Sequence, residues 1–459
     1  MEIYAIPLEG SGQFIIYRPL LGLAFVGNRA MLDLALKLAS ETHADDISEK
    51  DQAEQFLGRI GFCEPDPSPP AANQPDREGR FFLPITVVLL LTNQCQLRCE
   101  YCYALAGEYP KEQLTLDYAK IGIDQVYQNA IELGRDMFTV TYHGGGEPTT
   151  SWRVLKGATE YARQKRIHAD VSMTSNGTWS RSKLAWIMSN LDSLSLSMDG
   201  SPVTQDRQRP FASGRGSSNL VMKNISELDR ERFPYGIRMT AAEPWEQFPE
   251  DVRFICEETS CQSMQVEPSF NTKRGGHGDF EASGGKRFAE AFLEAYDIAA
   301  KAGRRLAYSG ARLGLTTSTF CTAPFNALII NPHGTLVTCY EITNPSHPLY
   351  EISTIGQIRD GEISYDYRVR FRLHEFMNQR RDSCKECFCY WSCAGDCYTR
   401  TFSPSPGGHL EHSARCEINR WITQGILLKN LANSGGVWRF KNRFGAPPTI
   451  GFPVEVQLS

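Results

Sequence analysis

Three closely spaced cysteines form the group of residues best suited to chemistry. Cys95, Cys99 and Cys102 have the spacing C-x3-C-x2-C and follow the apolar run 85–91. Cysteine thiolates are the usual ligands of iron–sulfur clusters, and a four-iron cluster takes four of them. Three thiolates would leave one iron open, as a catalytic metal keeps a vacant position for a small molecule. The alternatives are three unrelated thiols or a zinc site, for which no fourth ligand lies nearby at a typical spacing.

The triplet, with Tyr101 before its last cysteine, resembles the signature of the radical S-adenosylmethionine (SAM) enzymes. The resemblance implies a four-iron cluster whose open iron is chelated by the amine and carboxylate of SAM. In that family the reduced cluster donates one electron to the sulfonium, and the resulting 5′-deoxyadenosyl radical abstracts a hydrogen atom. The cofactor carries this reaction, while the protein binds, orients and excludes water. The resemblance also implies an external electron donor such as flavodoxin or ferredoxin.

Three later segments resemble SAM-binding motifs of the same family. Segment 142–148 reads Tyr-His-Gly-Gly-Gly-Glu-Pro and is similar to the motif whose glycines and glutamate hold the SAM amine. The resemblance assigns SAM contacts to Gly145, Gly146, Glu147, Ser175, Asn176, Ser197 and Arg209. A guanidinium suits the SAM carboxylate because it binds a carboxylate as a bidentate fork, and Arg207 is an alternative to Arg209. Taken alone, segments 142–148 and 175–177 are equally typical of tight turns.

A second group of cysteines lies in the last third of the chain. Its spacing is C-x12-G-x4-C, then C-x2-C-x5-C-x3-C, then a single cysteine. This spacing is similar to the SPASM extension of radical SAM enzymes that act on peptides and proteins, and the resemblance implies two auxiliary four-iron clusters. By position, the outer cluster would use Cys384, Cys387, Cys393 and Cys416, and the inner cluster would use Cys321, Cys339 and Cys397.

Two fully ligated clusters need eight thiolates, and the pattern supplies seven. Either the inner cluster has an open iron that could bind substrate, or Cys389 or a non-cysteine group completes it. Structural thiols or two zinc knuckles are the alternative reading of the whole group. Cys63, Cys256 and Cys261 fit no metal pattern and are interpreted as small buried residues.

The composition excludes several classes of function. The chain has 459 residues, of which 41% are hydrophobic and 22% charged, and its net charge is −5. This charge gives no electrostatic case for binding nucleic acid or an anionic membrane. No apolar run approaches ~20 residues, the length that spans a bilayer. Fourteen cysteines without a recognisable signal sequence favour metal ligation in the reducing cytoplasm.

From residue 81 onward, apolar runs alternate with helical patterns. They predict strands at 86–91, 138–142, 170–174, 191–198, 236–240 and 264–267, and helices at 116–133, 152–164, 182–188, 250–259 and 286–301. Six such units predict a partial (β/α)6 barrel, whose ligands bind at the carboxyl ends of the strands. Segments 238–240 and 266–268 also end strands and are candidates for contact with SAM or substrate. The glycines at 275–278 and 284–285 predict a flexible loop or lid at the rim.

The predicted α/β barrel covers 81–310, preceded by a small unit at 1–64 and a proline-rich linker at 65–80, and followed by a SPASM domain at 311–459. The first unit predicts a hairpin, a third strand and two helices, the first capped by Asn28. It resembles the winged-helix-like recognition module of enzymes that modify ribosomally made peptides, to which a leader peptide adds as an extra strand. The alternative is a plain packing extension.

Together these resemblances imply a radical SAM/SPASM oxidoreductase that modifies a ribosomally synthesised precursor peptide. The expected outcome is an oxidative crosslink within the peptide, either carbon–carbon or thioether. One alternative is oxidation of a protein cysteine or serine to formylglycine, as in sulfatase maturases. An alternative of another class is a passive electron carrier with several clusters, which would leave the SAM motifs without a purpose. No Asp, Glu or Tyr stands out as the general base.

Overall fold

The computed structural model describes residues 1–40, 52–70, 82–269, 274, 282–342, 345, 347–400, 414–440 and 443–444. The described strands form a four-stranded sheet, an eleven-stranded mixed sheet and a two-stranded sheet. The predicted rim loop at 275–278 and most of the predicted linker, from residue 71 on, lie outside these residues.

The N-terminal unit contains the three strands and two helices that the sequence predicts. Its elements are β1 (Tyr4–Leu8), β2 (Gln13–Arg18), β3 (Leu23–Asn28), α1 (Arg29–Ser40) and α2 (Gln52–Arg59). The Asn28 side chain accepts a hydrogen bond from the backbone N–H of Met31 at 3.0 Å, which confirms the predicted helix cap. Phe25, Leu32 and Leu57 form the core between sheet and helices. The first part of the linker is tied to this unit, because buried Arg18 pairs with Asp66.

A run of parallel strands follows, each connected to the next by at least one helix. The strands are β4 (Thr86–Leu90), β5 (Met137–His143), β6 (His168–Ser175), β7 (Ser193–Ser197), β8 (Tyr235–Ala241), β9 (Ser263–Pro268) and β10 (Arg305–Tyr308). The helices are α3 (Leu116–Glu132), α4 (Trp152–Arg163), α5 (Arg181–Asn190), α6 (Pro202–Gln208), α7 (Ser218–Arg230), α8 (Phe248–Glu258) and α9 (Ala282–Lys301). The six predicted strands are confirmed and are neighbours in chain order, and β10 extends the series beyond β9.

One prediction in this region is wrong. Gly284 and Gly285 belong to the first turns of α9 rather than to a loop. The physical reason is that the apolar face of α9 packs Phe288 and Phe292 into the main core beside Phe248. Tertiary packing of this kind outweighs the poor helix propensity of two glycines.

The C-terminal part continues the same large sheet. Its strands are β11 (Leu315–Thr316), β12 (Ala327–Ile330), β13 (Thr335–Val337), β14 (Thr354–Arg359), β15 (Glu362–Tyr365), β16 (Val437–Arg439) and β17 (Arg443–Phe444). Its helices are α10 (Ala323–Asn326), α11 (Tyr350–Ser353), α12 (Tyr367–Asp382), α13 (Tyr390–Cys393) and α14 (Ala414–Asn433). Strand β12 pairs in parallel with β4, and β13 to β15 follow as an antiparallel meander. The core of the C-terminal part is therefore continuous with that of the barrel.

Candidate active site

The three cysteines of the first group lie on one loop that follows β4. The guanidinium of Arg98 folds back over this loop and donates to the carbonyl oxygens of Cys95 at 2.7 Å and Gly107 at 2.9 Å. From the opposite side, Arg274 donates to the carbonyl of Cys99 at 2.7 Å. Two cations therefore hold main-chain oxygens of this loop and stabilise its shape.

The cysteine loop also pairs with the segment that ends α6, and this brings Arg209 to the site. The N–H of Glu100 donates to the carbonyl of Gln208 at 3.0 Å, and Arg209 Nη1 lies 4.0 Å from Cys99 Sγ. Nε and Nη2 of Arg209 form a bidentate pair with Asp199 at 2.8 and 2.9 Å. Burial lowers the pKa of Arg209, but Asp199, Tyr101 and Cys99 together outweigh this and hold the pKa well above the ordinary value.

Asp199 is a site residue to which sequence reasoning assigned no role. It is 2% exposed and also accepts from the Tyr101 hydroxyl and from the backbone N–H of Thr240 at 2.8 Å. It therefore ties the cysteine loop to the ends of β7 and β8. The only local signal was its position two residues after Ser197, in the segment that resembles a family motif.

Glu147 is buried beside the cysteine loop at the end of β5. Its Oε1 accepts from Ser175 Oγ at 2.7 Å, and its Oε2 accepts from the backbone N–H of Asn176 at 2.9 Å. Its own N–H donates to the carbonyl of Gln94 at 2.8 Å. A Cβ at Gly146 would lie 2.2 Å from the same carbonyl oxygen, so only glycine allows this close approach.

The motif that ends β6 joins the same site. Asn176 Nδ2 lies 3.7 Å from Cys95 Sγ, and Trp179 Nε1 donates to Ser175 Oγ at 2.9 Å. Gly177 follows with φ of 73°, a conformation that favours glycine. The structure thus brings Glu147, Ser175 and Asn176 together against the cysteine loop.

The remaining predicted SAM contacts are placed less tightly. Gly145 lies in the half-buried turn before Glu147, and Ser197 ends β7 opposite Arg238 in the parallel register. Arg238 donates through Nε to Ser195 Oγ at 3.1 Å. Arg207, the alternative to Arg209, is exposed and donates to the carbonyl of Glu243. Of the two arginines, the structure therefore places only Arg209 beside a cysteine.

Two thiols of the first group need a positive charge nearby to ionise. Burial raises the pKa of Cys95 to about 12 and that of Cys99 to about 11, so both need a cationic centre to ionise at neutral pH. Within the described part of the chain, no three Cys, His, Asp or Glu side chains converge closely enough to hold one metal ion.

The sequence profile of the Radical SAM superfamily matches residues 89–255, which span β4 to α8 and contain every predicted SAM contact. The chain contains a radical SAM domain. Sporulation killing factor maturation protein SkfB of Bacillus subtilis is 30% identical over 165 residues, which are 35% of this chain and 37% of SkfB. The matches cover about half or less of the length of each curated relative.

Two solved structures show the same fold. The structure of anSMEcpe with bound AdoMet is 16% identical, has a TM-score of 0.60 and covers 76% of this chain and 99% of that one. The structure of Streptococcus suis SuiB bound to precursor peptide SuiA is 14% identical, has a TM-score of 0.51 and covers 84% and 87% of the two chains. The radical SAM family implies a four-iron cluster and SAM.

Within the described ranges, no helix has the length and apolarity to cross a membrane.

The predicted inner cysteine set lies close to the carboxyl end of β5 in the radical SAM domain. Burial, followed by the charge of Cys397, raises the pKa of Cys321 to about 11, and burial followed by the charge of Glu341 raises the pKa values of Cys339 and Cys397. The ring of Tyr340 stacks on His143, the last residue of β5, with centroids 4.1 Å apart. This set is therefore adjacent to the mouth that carries the first group.

The predicted outer set lines a separate cavity. Cys384, Cys387, Cys393 and Cys416 line it together with Cys389. Asn419 Nδ2 and Arg380 Nη2 each lie 3.4 Å from a lining sulfur, those of Cys393 and Cys416 respectively. Donors to sulfur suit a cluster because they stabilise its negative charge.

Cys389 belongs to the neighbourhood of the outer set. It is 2% exposed, and its Sγ lies 3.7 Å from the carbonyl oxygen of Asn419. Three alternatives were given for the fourth ligand position of the inner cluster, and the structure thus favours an open iron or a non-cysteine ligand over Cys389.

Three cysteines were interpreted as small buried residues. Cys63 is exposed after α2, so its interpretation as a buried residue is wrong, whereas Cys261 is buried and Cys256 half-buried.

Ion pairs between the cysteine sets were missed by sequence reasoning. Arg400 donates to Glu341 at 2.6 Å and to Glu267, at the end of β9, at 3.3 Å. Arg415 pairs with Asp396 at 3.1 Å and reaches Glu267 at 3.5 Å. Each residue lies within three positions of a cysteine or at a strand end, but nothing in a single sequence indicates that these charges pair with one another.

His143 was also given no role by the sequence. Burial, followed by the charge of Arg238, lowers its pKa to about 4, so the imidazole is neutral at neutral pH. Its Nδ1 accepts the N–H of Gly144 at 2.9 Å, which assigns the proton to Nε2. His143 therefore offers a neutral N–H donor rather than a base at the face shared with Tyr340.

Proposed function

We propose that this chain is a radical SAM oxidoreductase that modifies a ribosomally synthesised precursor peptide. The observation that carries the proposal is the contact between the inner cysteine set and the mouth of the radical SAM domain. The Tyr340–His143 stack and the Arg400–Glu267 ion pair both join the two regions. A substrate between them would meet a hydrogen-abstracting centre and an electron acceptor.

The ten predicted cysteines are the proposed ligands of three clusters. Cys95, Cys99 and Cys102 would hold the SAM-binding cluster, and the inner and outer sets would hold the auxiliary ones. When bound, these groups supply a hydrogen-abstracting radical derived from SAM and a sink for the substrate's second electron. The electron that starts each cycle would come from a donor such as flavodoxin or ferredoxin.

The residues around Glu147 are proposed to bind the amine of SAM. Its Oε1 already accepts from Ser175 Oγ and from both donors of Thr149, whereas Oε2 accepts only from Asn176 among the described residues. A carboxylate oxygen can accept at least two hydrogen bonds, so Oε2 has capacity for an ammonium group. Gly145 and Gly146 would let the ligand approach the backbone closely.

Ser197 and Arg209 are proposed to bind the SAM carboxylate. Because Asp199 occupies Nε and Nη2 of Arg209, the group left for a ligand is Nη1, which faces Cys99. Asp199 then acts as a positioning residue that fixes the direction of the guanidinium. The burial of both residues excludes water from this side of the site.

The proposed substrate is a peptide, and the proposed product carries an intramolecular carbon–carbon or thioether crosslink. SuiB has been solved with precursor peptide SuiA, and SkfB is named as a maturation protein. The N-terminal unit, with its three strands and two helices, supports a role in binding the leader of such a peptide. The soluble composition and abundant cysteines support a cytoplasmic enzyme.

Two measurements test this proposal. Anaerobically reconstituted protein with reductant and SAM is expected to produce 5′-deoxyadenosine, and a passive electron carrier would produce none. Co-expression with a short peptide encoded beside the gene is expected to give a product two hydrogens lighter. An unmodified peptide, with all clusters loaded, would contradict the crosslink. Conversion of a sulfatase-derived peptide to formylglycine would favour the alternative reaction instead.

A further inference from the structure

The outer edge of β3 in the N-terminal sheet is occupied by the chain's own β16. The strand order is β1-β2-β3-β16, and β16 runs antiparallel to β3 with Val437 opposite Phe25 and Arg439 opposite Leu23. The ladder continues with Phe440, whose N–H donates to the carbonyl of Gly22 at 2.9 Å. A segment from the C-terminal part thus fills the position of a fourth strand in a unit formed by the first residues.

The two faces of β16 make different contacts. Val437 packs on the core that contains Phe25, Leu32 and Leu57. Two positions later, and so on the same face, Arg439 donates through Nε to the carbonyl of Ile60 at 2.8 Å. Its Nη2 also pairs with Glu64 at 3.2 Å. On this face, a strand paired with β3 therefore places an apolar side chain on the core and, two residues later, a cationic side chain beside Glu64.

The opposite face of β16 is aromatic. Trp438 and Phe440 stack with their ring centroids 4.1 Å apart. Both rings pack against a second cluster that contains Tyr17 and Leu427. The pattern of residues 437–440, apolar-aromatic-basic-aromatic, is thus matched on both faces by the N-terminal unit and α14.

The other edge of the sheet is poorly suited to add a strand. Pro7 in β1 has no N–H to donate, and its carbonyl accepts from Gln424 Nε2 at 3.3 Å. The Tyr4 hydroxyl, near the start of the same strand, donates to the carbonyl of Lys385. Proline and side-chain cover are typical of edges that do not pair. Of the two edges, only that of β3 is built for a partner strand.

The contacts of β16 are also limited in strength. The strand has three residues, and the side chains of Arg439 and Glu64 are 46% and 55% exposed. Exposed ion pairs contribute little to stability because solvent screens them. A longer peptide strand with the same side-chain pattern could therefore replace β16 by making the same contacts and continuing the ladder.

We propose that β16 is an internal competitor for the peptide-binding edge of β3, and that the precursor peptide displaces it. The peptide strand would run antiparallel to β3, with an apolar residue opposite Phe25 and a basic residue, two positions later, facing Glu64. This inference rests on the proposed function, because it takes a ribosomal peptide as the partner. It adds the direction, register and side-chain pattern of that peptide.

The test uses binding in trans to the full chain. The probe is a fluorescein-labelled peptide with the sequence of residues 434–442, and the measurement is its fluorescence anisotropy. The Arg439→Glu variant sets a negative charge against Glu64, removes the hydrogen bond to the Ile60 carbonyl and loosens β16, so it is expected to bind the probe about three- to fivefold more tightly than the wild-type chain. The double variant Arg439→Glu/Glu64→Arg restores an ion pair within the chain and is expected to lose this gain.

The controls separate this inference from the proposed function. A scrambled probe is expected to bind neither chain, and thermal unfolding monitored by circular dichroism verifies that the variants fold. Equal binding of the probe to the wild-type chain and Arg439→Glu, or binding to neither, would overturn the inference. Neither result depends on the clusters, whereas failure of the proposed function appears as absence of 5′-deoxyadenosine or of peptide modification.

Discussion

The two cysteine regions of this chain are built in different ways. The first group lies within residues 95–102, and its loop is held by cations that donate to main-chain carbonyls, as Arg98 does to Cys95. The second group is spread over residues 321–416, and buried ion pairs such as Arg415–Asp396 lie between its members. The first region is organised locally, whereas the second is assembled by the tertiary fold.

This difference has consequences for the charge around each region. Near the first group, Asp199 and Arg209 form one buried pair that fixes a guanidinium beside Cys99. Near the second, Arg312 donates to the carbonyl of Phe320, which directly precedes Cys321 of the inner set, and to the carbonyl of Cys393, a member of the outer set. A single buried pair orients one guanidinium, whereas a cation that contacts two sets holds the sets in a fixed relation.

The largest expected effect is loss of a ligand from the first group. We expect Cys99→Ala to abolish formation of 5′-deoxyadenosine while the protein keeps the iron of the proposed auxiliary clusters, because the proposed ligands of the two regions are different cysteines. Iron and sulfide analysis together with product quantification measure this. Cys63→Ala, which removes an exposed thiol, is the matched control and should leave both unchanged. Loss of all iron in Cys99→Ala would show that the regions are not independent.

A ligand lost from the inner set should have a smaller effect. We expect Cys397→Ala to lose the iron of one cluster and to stop peptide modification while SAM cleavage continues. The matched substitution Cys389→Ala should retain the full iron content, because Cys389 lies beside the outer set without being one of its assigned ligands. A comparable loss of iron in both variants would assign Cys389 as a ligand.

The buried pair near the first group should contribute to stability as well as to SAM binding. Asp199→Asn leaves the Arg209 charge without its partner, and breaking a buried pair costs about 3–5 kcal/mol. Urea denaturation should show this loss, and the KM for SAM should rise. Asp206→Asn changes a carboxylate that accepts from Ser218 near the start of α7, and we expect a cost of about 1 kcal/mol. Equal costs would contradict the role given to Asp199.

The smallest effect is expected at Ser175. Ser175→Ala removes an acceptor from the buried Trp179 N–H and a donor to Glu147, which costs about 1–3 kcal/mol. SAM affinity, measured by equilibrium dialysis, should fall because Glu147 loses one of the contacts that orient it. Ser189→Ala, on the exposed face of α5, should change stability by less than about 0.5 kcal/mol. Unchanged SAM affinity in Ser175→Ala would argue against the proposed role of Glu147.

Local patterns in the sequence were sufficient to predict the barrel strands and the cysteine groups. Continuous apolar runs such as Thr86–Leu90 identify buried parallel strands, and the predicted SAM motifs follow such strands. The spacing of Cys95, Cys99 and Cys102 is itself a local property, because one short loop carries all three. The N-terminal strands and the cap at Asn28 were predictable for the same reason.

Packing between distant segments decided the rest. The Asp199–Arg209 fork, the place of Cys389 and the strand β16 on the N-terminal sheet each depend on which surfaces meet after the chain folds. The pairing of β16 with β3 joins residues more than 400 positions apart, and a three-residue strand carries no periodic signal of its own. Burial of charged groups likewise becomes visible only when their partners are brought together, because each alone is typical of an exposed surface.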